Sequence, residues 1–241
     1  MSRWFRQSLG LLLAWMLLVG SGATADAKEN VFLEEPFTSL SRWQSFTFPN
    51  IPVSSEYRLT KEGAVTCLHM ESNGGASALV FNESFNVYDY RKLKWRWKVH
   101  NVYHKGDTTS KQGDDYPARL YVMFRYDNKT ASLAKRIRYG AAKLVYGEYP
   151  PDSSLNYIWA NRDDARDIIT NPYTDQAKMI PVSRGENDLG RWQTYVVDIV
   201  KDYRSAFHKD PPAEATIAVM IDGDNTGEAA RACIDFIRIS R

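Results

Sequence analysis

Three catalytic signatures are missing from this chain. It has no Gly-x-Ser-x-Gly nucleophile turn, no His-Glu-x-x-His zinc pair and no glycine-rich phosphate loop. His69, His100, His104 and His208 are its four histidines. His100 and His104 stand four apart, a spacing that makes a metal pair on a helix but not at the end of a strand, so structural or surface roles are expected for all four. Cys67 and Cys233 are the only cysteines, too few for a metal site on their own. In an oxidising compartment they can pair; in a reducing one they are two buried thiols, and the sequence leaves both open.

Long hydrophobic runs are also lacking. The one candidate, Leu9 to Val19, is shorter than the ~20 residues a bilayer helix needs. It follows Arg3 and Arg6 and leads through small residues to Ala25-Asp26-Ala27, the order of a secretory signal peptide. Residues 1–27 are therefore expected to be removed, with Ala25 as the alternative cleavage point. The mature domain, 28–241, is expected to be periplasmic or secreted. No Cys follows the apolar run, which closes the lipoprotein route. Removing Arg3, Arg6 and Asp26 from 31 basic and 29 acidic residues leaves 29 and 28. Charge this balanced gives no case for nucleic acid as a partner.

What is present is alternation. In "KLKWRWKV" (92–99), Leu93, Trp95, Trp97 and Val99 share one face, and Lys92, Lys94, Arg96 and Lys98 the other. That is a strand with a buried side and a wet, cationic side, more often a solvated face than a polyanion site. Further strands are expected at 42–48, 64–71, 77–81, 118–126, 143–149, 155–161, 178–182, 192–199, 215–221 and 232–240, with Gly, Pro, Asn and Asp in the gaps. Ile199, Tyr203 and Phe207 fall four apart before Pro211-Pro212, which predicts a helix over about 199–208, and a second short helix is expected near 130–138. About eleven short strands and one or two short helices argue for an all-β single domain, an antiparallel sandwich of jelly-roll type.

Two polar segments are candidates for function. "DGDNTG" (222–227) places Asp222, Asp224 and Asn225 in one bend. Counting from Asp222, an EF-hand loop would need a bidentate Glu at its twelfth position, where Cys233 stands, so an EF-hand is excluded. A looser calcium loop, a ligand loop and an ordinary Asp/Asn/Gly turn remain. Asp114 and Asp115 end the long polar stretch from Val102 to Tyr116. A loop of that length is usually functional or mobile. These carboxylates suit sugar hydroxyls or a cation, or an ion pair with Arg119. In the segment that follows, Tyr157 and Trp159 offer flat faces for a sugar ring, flanked by Asn156 and Asn161, although a sandwich also needs such residues in its core.

Taken in order, "GDDYPARLYVMF", "LNYIWAN", "NPYT", "KMIPVSRG", "LGRWQTYVVDIVKDYRSAF" and "IAVMIDGDNTGEAARACIDFIRIS" resemble bacterial domain-of-unknown-function family 3047, from about Phe32 to the C-terminus. The resemblance implies a secreted β-rich domain and supplies no catalytic residue. Gly223 stands where the family pattern has Thr, and Cys233 and Ile234 replace an expected aromatic-Gly pair, so the pattern lends a Cys67–Cys233 disulfide no support. It also echoes galactose-binding jelly rolls, which implies a structural calcium held by Glu34 or Glu35 together with Asp235. The resulting expectation is an exported, non-catalytic binding domain for carbohydrate or another small polar ligand. Its site would combine Tyr157 and Trp159 with Asp114, Asp115, Asp222, Asp224 and Asn225. A glycan hydrolase or lyase using paired Asp carboxylates, or an envelope domain that binds another protein, are the alternatives.

Overall fold

The computed structural model describes residues 30–129, 133, 136, 139 and 150–241. The signal-peptide reading and the expected strand at 143–149 fall outside them, and the expected helix near 130–138 falls mostly outside. Fourteen strands are present among the described residues: β1 (Val31–Glu35), β2 (Trp43–Thr47), β3 (Glu56–Glu62), β4 (Val65–Asn73), β5 (Ala76–Phe81), β6 (Phe85–Asn86) and β7 (Lys92–Val99) precede the long polar loop. After it come β8 (Arg119–Phe124), β9 (Ser153–Ala160), β10 (Ile169–Thr170), β11 (Ala177–Arg184), β12 (Gln193–Asp198), helix α1 (Ile199–Phe207), β13 (Glu214–Asp222) and β14 (Ala229–Ser240).

They form two sheets. One runs β12-β7-β14-β4-β3 with β1 added on β14; the other runs β10-β11-β9-β8-β13-β5-β2 with β6 added on β13. Every pairing is antiparallel except β9–β11, which is parallel. The chain crosses over between these two strands through β10, so a tight hairpin cannot join them. The sandwich is thus mixed at that one place.

Alternation decides which side chains meet between the sheets. Leu93, Trp95, Trp97 and Val99 of β7 face Leu120, Val122 and Phe124 of β8 and Leu155, Tyr157 and Trp159 of β9 in one core, all fully buried. The basic side of β7 lies outside. There Arg96 pairs with Asp235 at 2.7 Å and stacks on Trp192, and Lys98 pairs with Glu62, so two of the four cations of the stripe are neutralised by carboxylates of the same sheet. Helix α1 occupies 199–207, as its spacing predicts. Asp198 caps it by accepting from Lys201 N at 2.9 Å, and His208 ends it in the left-handed region at φ 55°. Cys67 on β4 and Cys233 on β14 are disulfide-bonded, with Cα atoms 5.8 Å apart. Among the described residues no helix is long and apolar enough to cross a membrane.

Candidate functional site

The bend at 222–227 joins β13 to β14 at one end of the eight-stranded sheet, against the 102–117 loop. The two segments hold each other reciprocally. Asp115 from the loop caps the bend: its Oδ1 accepts from Asn225 N at 3.2 Å and Asn225 Nδ2 at 3.0 Å, and its Oδ2 from Thr226 N at 2.6 Å. Asp222 from the bend caps the loop, its Oδ1 accepting from Tyr116 N at 3.1 Å. The bend closes on itself through Gly227, which takes φ 69° and donates to Gly223 O at 2.9 Å.

A third segment, after β9, completes the cluster. Asn161 accepts from Tyr103 N at 2.9 Å and donates to Asp115 O at 2.7 Å. Gly106 makes this approach feasible, because a Cβ there would come within 2.1 Å of Asn161 Nδ2. Asn171 donates to Asp114 Oδ2 at 2.9 Å, and the Tyr173 hydroxyl donates to Asn225 Oδ1 at 2.6 Å.

Arg119 lies beneath them. It starts β8 on the outer side of its sheet, alternating with inward Leu120, and is 2% exposed. Its Nε donates to Asp222 Oδ1 at 2.8 Å, and its Nη2 donates to both Asp222 Oδ2 and Asp114 O. The Tyr116 ring covers the guanidinium at 4.3 Å. Burial pushes the Asp222 carboxyl up to about 7, with Arg119 pulling the other way. Asp224 is also raised, first by burial and then by the nearby Asp115 charge.

The expected site residues therefore divide. Asp114, Asp115, Asp222, Asp224 and Asn225 do come together, as the two-loop reading requires. Oxygens of Asp115, Asp222 and Asp224 lie within 4.8 Å of one another. Tyr157 and Trp159 do not join them, which corrects the stacking expectation. Both are fully buried on the inward face of β9, where Tyr157 packs on Trp95 and donates to Asp202 at 2.9 Å, and Trp159 donates to Gly185 O at 2.9 Å. No sugar face can reach them.

The calcium expectation at Glu34, Glu35 and Asp235 is corrected as well. Pairing of β1 with β14 sets Glu35 opposite inward-facing Ile237, and there it accepts from Phe37 N at 2.8 Å and Trp43 Nε1 at 3.1 Å. A bulge between Ile234 and Phe236 turns Asp235 to the outer face, onto Arg96. Glu34 pairs with Arg238 at 3.2 Å. Glu35 therefore lies on the opposite side of the sheet from Asp235, and Glu34, on the same outer side as Asp235, is held by a different arginine.

Sequence reasoning also missed a groove beside the clamp. Gly106, Asp107, Thr108 and Thr109 form one wall; Asn161, Arg162, Asp164, Arg166 and residues 168–170 with Pro172 form the other, enclosing about 690 Å³. The polar run "NRDDARD" immediately after a strand was the available signal. Arg184 fixes that run by donating to Ala165 O at 3.0 Å and to Asp167 at 2.8 Å.

One buried hydroxyl gives a direct test of the packing. Tyr116 is fully buried and its Oη has no hydrogen-bond partner among the described residues. Tyr116→Phe keeps the ring over Arg119 and removes an unsatisfied group. Urea unfolding is expected to find stability unchanged or raised by up to about 1 kcal/mol. A loss of that size would reveal a partner for the hydroxyl.

Residues 41–238 match the family model described as "Protein of unknown function (DUF3047)". The chain belongs to this family. No curated protein matches it. Among solved structures, the chain is similar to the carbohydrate recognition domain of Emp47p, with a TM-score of 0.45, 12% identity, and coverage of 90% of this chain and 99% of that one. It is also similar to the family 11 carbohydrate-binding module of the cellulosomal cellulase Lic26A-Cel5E of Clostridium thermocellum, with a TM-score of 0.41, 9% identity, and coverage of 88% and 93%.

Proposed function

We propose that this DUF3047 member is an exported carbohydrate-binding domain whose ligand lies in the groove between residues 106–109 and 161–172. The observation that carries the reading is the lining of that groove. Its volume of about 690 Å³ falls within the ~300–1,000 Å³ of small-molecule sites. Asp107, Asp164, Arg162 and Arg166 balance in charge, and Thr108, Thr109, Thr170 and Asn161 add hydroxyl and amide groups. Interspersed donors and acceptors without net charge suit a neutral polyol better than an anion or a polycation. Ile168, 38% exposed, and Pro172 supply apolar surface, and Tyr173, 55% exposed, stands next to Pro172 at the rim. Export is supported by the buried disulfide, a bond that persists in oxidising compartments.

The catalytic alternative is not favoured. Asp114, Asp115 and Asp222 are at most 4% exposed and are held by Arg119, backbone N–H groups and Asn171. A glycosidic oxygen has no route to them.

Calorimetric titration with a panel of neutral and uronate-containing oligosaccharides tests the proposal. Micromolar to millimolar binding to a neutral glycan is expected. Arg162→Ala combined with Asp164→Ala should weaken it at least about tenfold, or ~1.4 kcal/mol, with the melting temperature unchanged. Absence of binding across the panel, or binding indifferent to the double variant, overturns the assignment.

A further inference from the structure

We propose that Asp115, Asp222 and Asp224 form a binding site for a hard divalent cation, calcium in particular, at the joint between the 102–117 loop and the β13–β14 bend. This goes beyond the groove reading and does not depend on it.

Geometry is the first argument. Oxygens at 2.3–2.6 Å from a common calcium ion are at most about 5 Å apart. One carboxylate oxygen from each of the three residues meets that limit, all lying within 4.8 Å of one another. The donors are oxygens alone, which selects calcium or magnesium over zinc or copper. Glu62, Cys67 and Cys233 are the other close group among the described residues, and there both sulfurs are spent on the disulfide.

Two buried groups outside the three carboxylates point to the same place. Asp114 is 4% exposed, and its Oδ1 accepts no hydrogen bond from the described residues. Its nearest cationic atom is Arg119 Nη1 at 3.8 Å, on the guanidinium that Asp222 already occupies. Tyr103 is 1% exposed, and among the described residues its hydroxyl has no hydrogen-bond partner of acceptable geometry. That hydroxyl abuts the bend between Asp222 and Asp224, only 3.2 Å from where a Cβ on Gly223 would sit. The Asp222 and Asp115 charges both bear on it, and Ser72 Oγ beside it already donates to Gly75 O and accepts from Gly75 N, which leaves one lone pair facing the tyrosine. Unsatisfied buried polar atoms in a native fold call for a water or an ion. A hydrated cation supplies both.

Charge agrees. Asp114 and Asp222 share one guanidinium, Asp115 and Asp224 lie beside Asp222, and Lys105 Nζ stands at the edge on Thr226 O at 3.2 Å. Buried carboxylates in that excess require pairing or a metal. A bound ion would fasten the bend to the loop. Through Asn161, bonded to both Asp115 O and Tyr103 N, it would also fix one wall of the groove.

Calcium chloride alone, titrated into the chelator-treated full domain, tests the site. Calorimetry is expected to find one calcium per chain, and the melting temperature should rise with calcium. Asp224 is only partly buried and takes no part in the clamp's side-chain hydrogen bonds, so Asp224→Asn should fold normally and bind calcium at least about tenfold more weakly, ~1.4 kcal/mol. Asp210→Asn, at the exposed Arg204 pair, should bind like the parent. No heat and no thermal shift up to about 10 mM calcium, a value far above the sub-millimolar sites of sensor loops, overturns the proposal. So does calcium binding that Asp224→Asn leaves unchanged, or binding of zinc in preference to calcium. Because no glycan is used, failure here leaves the groove reading standing.

Discussion

Replacing Arg119 with Met is expected to lower the free energy of unfolding by about 3–5 kcal/mol, the usual cost of removing one member of a buried ion pair. For a domain of this length that corresponds to a fall in melting temperature of roughly 6–20 °C. The cause is less the lost attraction than what is left behind. Asp222 is 3% exposed, and without Arg119 its remaining donor is Tyr116 N. Asp114 O loses its donor as well. Burial already works against the Asp222 charge in the intact pair. Removing both partners, in Arg119→Met with Asp222→Asn, should recover much of the loss, because no uncompensated buried charge remains. Urea denaturation in chelator-containing buffer, followed by tryptophan fluorescence, reads both variants. A loss below 1 kcal/mol in the single variant would mean that water reaches Asp222.

The second large effect is expected from Cys67→Ala with Cys233→Ala, which should cost about 2–5 kcal/mol. The bond closes a loop of 166 residues, for which the chain-entropy model gives about 5 kcal/mol. It lies between β4 and β14, strands that are already hydrogen-bonded with Cys233 opposite His69. The expected loss therefore arises chiefly in the unfolded chain, which expands when the link is removed. The dependence of unfolding free energy on urea should steepen as more surface is exposed. Both sulfurs belong to fully buried residues, so dithiothreitol should reduce the native protein only as fast as it opens. A variant with unchanged stability and unchanged urea dependence would exclude the unfolded-state account.

These two effects differ in how far the sequence foretells them. Strand β7 could be read residue by residue, because the period of two in "KLKWRWKV" fixes which side chains share a face. Helix α1 was equally local, read from the spacing of four and the prolines beyond its end. Asp114 and Asp115 opposite the 222–227 bend were also anticipated, since polar residues at strand ends collect at one end of a sandwich.

Trp159 shows where such reading stops. Alternation put it on a face with Leu155 and Tyr157 but could not say whether that face lined the core or a ligand site. Asp235 failed for a different reason: one extra residue between Ile234 and Phe236 reverses every face assignment near it. Asn171, Tyr173 and the groove residues 162–166 carried no periodic signal at all, because loops are positioned by what they touch.

By itself the sequence determined the β-rich class, the alternation of buried and wet faces, the helix at 199–207 and the two polar segments, all consequences of residues a few positions apart. Only the tertiary structure decided the sheet order, the pairing of Cys67 with Cys233 and the bond between Arg119 and Asp222, 103 residues away. Such contacts depend on which strands lie side by side. That arrangement minimises the free energy of the whole core rather than of any segment.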